Sequence, residues 1–368
     1  MEVRGTLGVN SISQITDRLS MEFYFTQLYT TRTKRPSLKA VVFLSKISPE
    51  SIETIVGRSN KLKNFNINVT RLEPNLYRCF LKRFISEEEK SGYFLLDTSM
   101  EETWIVFTNY NVYFVSHVLE SFFDKLYPFV SRVYFNYLEM KTFLDKIKET
   151  YRGTTTYTKF AIRRSRKAVN LPSSIRYRKG TMILWERDAD EELLKQSRDY
   201  LLTVTRLNFE IKDRSGMLLL RSSISRKGRC TLNYGAFRDF YNNVILATIE
   251  YGKNQKKFYN YRKRTIINKE VELSPFSIVY SNQLEIHSIK KLSVKLISSY
   301  STSIIHGGNP YFVATLTDYD EGSSFGLTIL GDTVTITPIS KGAPEATWKL
   351  TDTIQEILGD GTIKDVGL

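Results

Sequence analysis

The chain has 368 residues, enough for two or three domains at the usual ~100–200 residues each. With 41% apolar and 25% charged residues, and 22 Phe and 22 Tyr to fill a core, its composition excludes wholesale disorder, collagen and coiled coil. The formal charge of +14 points to a polyanionic partner.

In chain order, Leu38–Leu44 reads as a buried strand and Pro49–Gly57 as a short helix with Ser48 as N-cap. Asn66–Leu72 and Leu76–Phe84 alternate in period two around the turn Glu73-Pro74-Asn75, which predicts a hairpin. A second hairpin is expected from Tyr93–Leu96 to Trp104–Phe107, followed by helical spacing at Val112–Tyr127 and Leu138–Ile147. Residues 1–150 are therefore expected to form an N-terminal α+β domain, and 151–190 a basic linker or strand segment.

The C-terminal half shows the same element order twice. In residues 191–252 a helix at Asp190–Leu202 leads into strands Arg206–Lys212, Met217–Ser225 and Arg229–Tyr234, then a helix at Ala236–Thr248. In residues 283–368 a helix at Glu285–Tyr300 leads into strands Tyr311–Asp318, Phe325–Leu330 and Thr333–Ile339, then a helix at Thr347–Leu358. Residues 253–282 bridge the two units with a basic, aromatic stretch and extended chain. The predicted class is α+β, antiparallel meanders backed by helices, with two similar helix–three-strand–helix units.

The charge is not spread evenly. Residues 151–190 hold 10 basic and 3 acidic side chains and residues 251–270 hold 7 and 1, a combined +13, where an even distribution would give about +2. In the second segment Lys256, Lys257, Arg262, Lys263 and Arg264 interleave with Phe258, Tyr259 and Tyr261. Cations suit phosphates and flat rings suit exposed bases, so Tyr259 and Tyr261 are candidate stacking residues. A strand with buried rings and solvated cations accounts for the same pattern.

The first segment carries Lys159, Arg163, Arg164, Arg166 and Lys167, followed by Arg176, Arg178 and Lys179. Seven of the ten cations in 151–190 are Arg, the side chain that forks two hydrogen bonds to one phosphate. A charged linker, with Pro172-Ser173-Ser174 as loop, is the alternative. Arg226, Lys227 and Arg229 mark a basic hairpin tip that suits either a phosphate backbone or plain solvent.

Catalytic signals are sparse. Glu210-Ile211-Lys212 resembles the second half of a PD-(D/E)xK nuclease motif, but the first carboxylate is missing, Asp199 being the nearest upstream candidate; an alternating strand face reads better. His117 and Glu120 lie three apart, with no third ligand nearby, and Asp318–Glu321 reads as a hairpin turn and not a calcium loop. No GxxxxGK[ST] occurs, nor a GxGxxG between strand and helix, so no nucleotide cofactor and no metal is expected.

Glu2, Arg4, Asp17, Arg18 and Glu22 punctuate the first thirty residues and no apolar run reaches a span's length, so neither a signal peptide nor a transmembrane segment is expected. Cys79 and Cys230 alone make no disulfide framework or CxxC knuckle, which suits the cytoplasm.

The basic segments 158–167 and 256–264, set among meander-and-helix units over residues 150–368, resemble the APAZ or N-L1-L2-like accessory subunits of split and short prokaryotic Argonaute systems. That resemblance implies a non-enzymatic, nucleic-acid-binding accessory protein in antiviral defence, clamping a guide–target duplex by its backbone beside an Argonaute partner. A metal-dependent nuclease using Glu210 and Lys212, or a scaffold for an acidic protein or anionic membrane, are the alternatives.

Overall fold

The computed structural model describes residues 11–30, 37–85, 88–151, 154–164, 176–178, 181–184, 202–260, 265–267, 270–272, 274–307 and 311–366. It is an α+β protein whose chain divides into two compact units, one of Met1–Phe135, Glu139–Phe160 and Arg206–Glu250, the other of Asn136–Leu138, Ala161–Thr205 and Tyr251–Leu368.

The first unit begins with helix α1 (Arg18–Thr30), strand β1 (Leu38–Ser45) and helix α2 (Ile52–Arg58). The meander β2 (Phe65–Glu73), β3 (Leu76–Ile85), β4 (Glu88–Asp97) and β5 (Thr103–Thr108) follows, with its turns where Pro74-Asn75 and the polar stretch after Asp97 place them. Next come a π-helical turn (Phe114–Leu119) continued by α3 (Glu120–Lys125), the short strand β6 (Val130–Arg132) and α4 (Tyr137–Tyr151). β7 (Thr154–Arg164) starts in the first unit and ends in the second, which holds β8 (Arg176–Arg178) and β9 (Thr181–Leu184), and a second meander is formed by β10 (Leu202–Lys212), β11 (Leu218–Ser225) and β12 (Arg229–Tyr234). Helices α5 (Phe237–Phe240) and α6 (Leu246–Asn260) follow it, joined by a π-helical turn at Tyr241–Ile245.

β1 is the hinge of this topology. It pairs with β5 on one side and β12 on the other, so the two meanders share one sheet in the order β2-β3-β4-β5-β1-β12-β11-β10-β7-β9-β8, with β6 also pairing to β1. The domain boundaries expected from sequence at 150 and 191 are therefore not those of the compact units: the meander at Arg206–Tyr234 extends the N-terminal sheet instead of standing alone. All eight residues of β1 are buried, as a central strand with helices on both faces requires. On one face Val41 and Phe43 pack with Phe94, Trp104, Phe122 and Phe123, where Phe43 stacks on Phe123 at 4.4 Å between centroids. On the other, Phe107 meets Phe25 of α1 and Phe237 of α5 at 6.2 and 5.5 Å.

The second unit contains the hairpin β13 (Thr265–Ile267) and β14 (Glu270–Glu272), strand β15 (Phe276–Val279), helix α7 (Ile286–Ser299) and strand β16 (Ser301–His306). The meander β17 (Tyr311–Asp318), β18 (Ser323–Leu330) and β19 (Thr333–Ser340) leads to α8 (Pro344–Leu358) and β20 (Thr362–Asp365). The six-stranded sheet runs β16-β17-β18-β19-β15-β20. Its alternating burial follows the period-two pattern of Phe312, Ala314 and Leu316, then Phe325, Leu327 and Ile329.

Both meanders end in a helix, as the repeated element order predicts, but the flanking parts differ. The expected opening helix at Asp190–Leu202 lies outside the described residues apart from Leu202, which begins β10, and the second meander has additional neighbours in β16, β15 and β20. Among the described residues no helix is long and apolar enough to cross a membrane.

Candidate nucleic-acid interface

The basic aromatic stretch is helical where it is described. α6 runs to Asn260, twelve residues past the predicted helix end, because Ile245, Ile249, Gly252 and Tyr259 share a buried stripe at helical spacing. The rings therefore do not alternate with the cations as in a strand. Tyr259 is 1% exposed and packs edge-on to Phe276 at 5.9 Å and beside Trp348 at 6.1 Å. This corrects the assignment of Tyr259 as a stacking residue, since a ring enclosed by Phe276 and Trp348 offers no face to a base. On the polar side of α6, Lys257 is exposed and Lys256 half-buried. Tyr261, Arg262, Lys263 and Arg264 lie outside the described residues.

Of the arginine-rich segment, Lys159, Arg163 and Arg164 belong to β7, and Arg176 and Arg178 to β8, where they pair with Ile183 and Thr181 of β9. Arg166, Lys167 and Lys179 lie outside the described residues. Of these segments, the described stretches 161–164, 176–178 and 181–184 fall in the same compact unit as 251–260.

The hairpin tip between β11 and β12 is not a free basic projection. Arg226 is only 6% exposed, and its carbonyl accepts a hydrogen bond from the Phe135 amide at 2.7 Å. Gly228 turns the chain at φ +65°, and any Cβ there would meet the Val133 carbonyl oxygen at 2.6 Å, so the tip is pressed onto the Val133–Phe135 segment. Arg229 forms an ion pair with Glu120 at 3.2 Å and donates to the Ser116 hydroxyl at 3.2 Å. Of the cations at the tip, only Lys227 is exposed. Arg226 and Arg229 are thus inward-facing, which corrects their assignment as backbone-tracking cations.

Glu210 accepts from Arg221 across the strand pair at 2.6 Å and lies 3.8 Å from Lys212, so its carboxylate is neutralised on the sheet surface. The Glu120 carboxylate, a candidate metal ligand beside His117, is instead held between Arg132 and Arg229 at 3.2 Å each. Among the described residues no three His, Cys, Asp or Glu side chains are grouped to hold a metal ion. Asp318–Glu321 is a hairpin turn between β17 and β18, with Asp318 paired to Lys349 at 2.9 Å.

Glu210→Gln is expected to cost at most about 1 kcal/mol, the worth of a cross-strand ion pair whose Arg221 partner is half exposed. Nucleic-acid binding should be unchanged. Reproducible magnesium-dependent cleavage that disappears in this variant would restore the nuclease reading.

Two cations that sequence reasoning passed over lie on the face of the first sheet that also carries Val41. Lys39 is 5% exposed, and its ammonium donates to the carbonyls of Ser37 and Tyr110 at 2.9 and 2.6 Å. Arg206 reaches from β10 across β11, donating to the Ser223 hydroxyl at 2.8 Å and to that of Thr231 at 3.4 Å. Thr231 is the cross-strand neighbour of Lys39. Burial, aided by repulsion from Arg229 and Arg206, pushes the Lys39 ammonium down to about 8, and burial with Arg229 pushes Arg206 down to about 10. The signal is present in the sequence, since a Lys inside a wholly apolar central strand is rarely buried without a purpose.

No protein-family model matches the chain, and comparison with curated proteins likewise found no match.

Proposed function

We propose that the protein is a non-enzymatic nucleic-acid-binding subunit of a larger complex, in the manner of the Argonaute-associated accessory proteins it resembles, and that it grips its ligand by the phosphate backbone. The observation that supports this reading is the concentration of positive charge in residues 161–190 and 251–270. Those segments hold 15 basic and 4 acidic side chains, a density that an ordinary solvated surface does not need. The exposed Lys257 on α6 and Arg163, Arg164, Arg176 and Arg178 on β7 and β8 supply cations from regular elements. With Tyr259 enclosed, the grip is electrostatic, and base stacking by that ring has no part in it.

Binding is expected to be largely indifferent to base sequence, because nothing in these elements resembles a recognition helix presented to base edges. Competition between one duplex and its scrambled counterpart at fixed salt measures this. A preference beyond about a hundredfold would count against backbone-only recognition, while binding to anionic liposomes with none to DNA or RNA would favour the scaffold reading.

A further inference from the structure

The first unit carries a second basic feature, separate from the segments above and built from side chains on five adjacent strands. Thr108, Lys39, Thr231, Ser223 and Asn208 form one cross-strand row over β5, β1, β12, β11 and β10. Four of the five are buried, which makes a polar band across a sheet face whose neighbouring positions, Val41 and Phe43, belong to the apolar core. The guanidinium of Arg206 lies along this band and reaches Thr231 from one side, while Lys39 neighbours Thr231 from the other. Arg229, two residues before Thr231 on the same strand face, is the cross-strand neighbour of Val41, the next residue after Lys39 on that face of β1.

The charge here does not balance among the described residues. Lys39, Arg206, Arg229 and Arg132 provide four positive charges, and the carboxylates that meet them are Glu120, paired with Arg132 and Arg229, and Asp124, paired with Arg132. Lys39 and Arg206 donate instead to carbonyls and hydroxyls, which carry no charge to offset theirs. Uncompensated cations removed from water are costly, and a cluster of this kind is relieved by an anion. The arrangement also supplies what an oxyanion needs: a forked donor in Arg206, a point charge in Lys39, and the Thr231 hydroxyl between them. The Arg229 side chain keeps 20% of its surface exposed.

We propose that Lys39, Arg206 and Arg229 form an oxyanion site that takes a doubly charged phosphate group, free or as the monoester of a small molecule. The residual charge of two on the cluster matches such a dianion. The site belongs to the first compact unit and uses no residue of the two basic segments, so it stands or falls independently of the nucleic-acid reading.

The test uses the full chain and titrates inorganic phosphate by calorimetry against sodium chloride at matched ionic strength, with adenosine monophosphate as a parallel ligand. Saturable phosphate binding near one equivalent is expected, weakened at least about tenfold by Arg206→Gln, which removes one charge-assisted fork while leaving a hydrogen-bonding amide. Lys39→Met should weaken it comparably and, being of similar length and apolar, suits the buried strand if Arg206→Gln fails to fold. Tighter binding of the nucleotide than of phosphate identifies a monoester as the ligand, and equal or weaker binding identifies free phosphate. Absence of saturable binding to the wild-type chain, or binding unchanged in both variants, overturns the proposal.

Discussion

Tyr259→Ala is expected to destabilise the second unit by about 3–5 kcal/mol, the range for deleting a large buried ring from a core that cannot collapse around the loss. The ring is enclosed by Phe258, Phe276 and Trp348, contributed by α6, β15 and α8, so its removal empties a junction of three elements at once. Tyr259→Phe keeps the ring and should stay within about 1.5 kcal/mol of wild type. Urea unfolding followed by Trp fluorescence, with Trp348 as a reporter next to the site, measures both. The alternative role, base stacking, predicts the reverse: normal stability and a loss of nucleic-acid affinity for both DNA and RNA. An alanine variant as stable as wild type but deficient in binding would return Tyr259 to the interface.

The second large effect concerns charge. Replacing Arg262, Lys263 and Arg264 together by Ala leaves up to three phosphates without a cation, so the slope of log affinity against log salt should become shallower by about 0.9 for each such phosphate on duplex DNA. The weakening should be nearly uniform across sequences, because cations on phosphates position a duplex without reading it. Replacing Lys256 and Lys257 in α6 should act in the same direction, and combining the two sets should deepen the effect on one binding event, since the two sets adjoin in sequence. A salt slope identical to wild type in the triple variant would remove these cations from the interface. Survival of half the sites at full affinity would show two independent sites in place of one.

The strands are the most legible part of the molecule. The first hairpin of the N-terminal meander is where Pro74-Asn75 and the alternation of Leu76–Phe84 put it, the second joins Tyr93–Leu96 to Trp104–Phe107 as expected, and strand Arg229–Tyr234 has the predicted limits. These signals are local: a turn needs particular residues, and a half-buried strand needs period two. What the sequence leaves hidden is non-local. The extension of α6 to Asn260 depends on Phe276 and Trp348, far along the chain, giving Tyr259 a place to bury. The basic tip at Arg226–Arg229 reads as solvated because nothing near it in sequence announces the Val133–Phe135 segment that it presses on. Glu120 looks like a ligand because its two arginine partners, Arg132 and Arg229, come from different parts of the chain. The same holds for the polar band: Lys39, Ser223 and Thr231 are ordinary residues singly, and only the pairing of β1 with β12 sets them side by side.

That pairing also governs how the chain must assemble. β1 is synthesised well before β12, so the Leu38–Val41 half of one edge waits for Arg229–Leu232, while Phe43–Ser45 pair with the nearer β6. Until then the N-terminal meander presents an apolar edge with unpaired amides, the kind of surface that recruits other chains during translation. Closing so long a loop adds little to the thermodynamic cost, because loop entropy grows only with the logarithm of length, but it places the first unit among high-contact-order topologies that fold slowly. The intervening residues must therefore emerge before the sheet can close, and a fragment ending near residue 150 would be left with Leu38–Val41 as an unpaired edge.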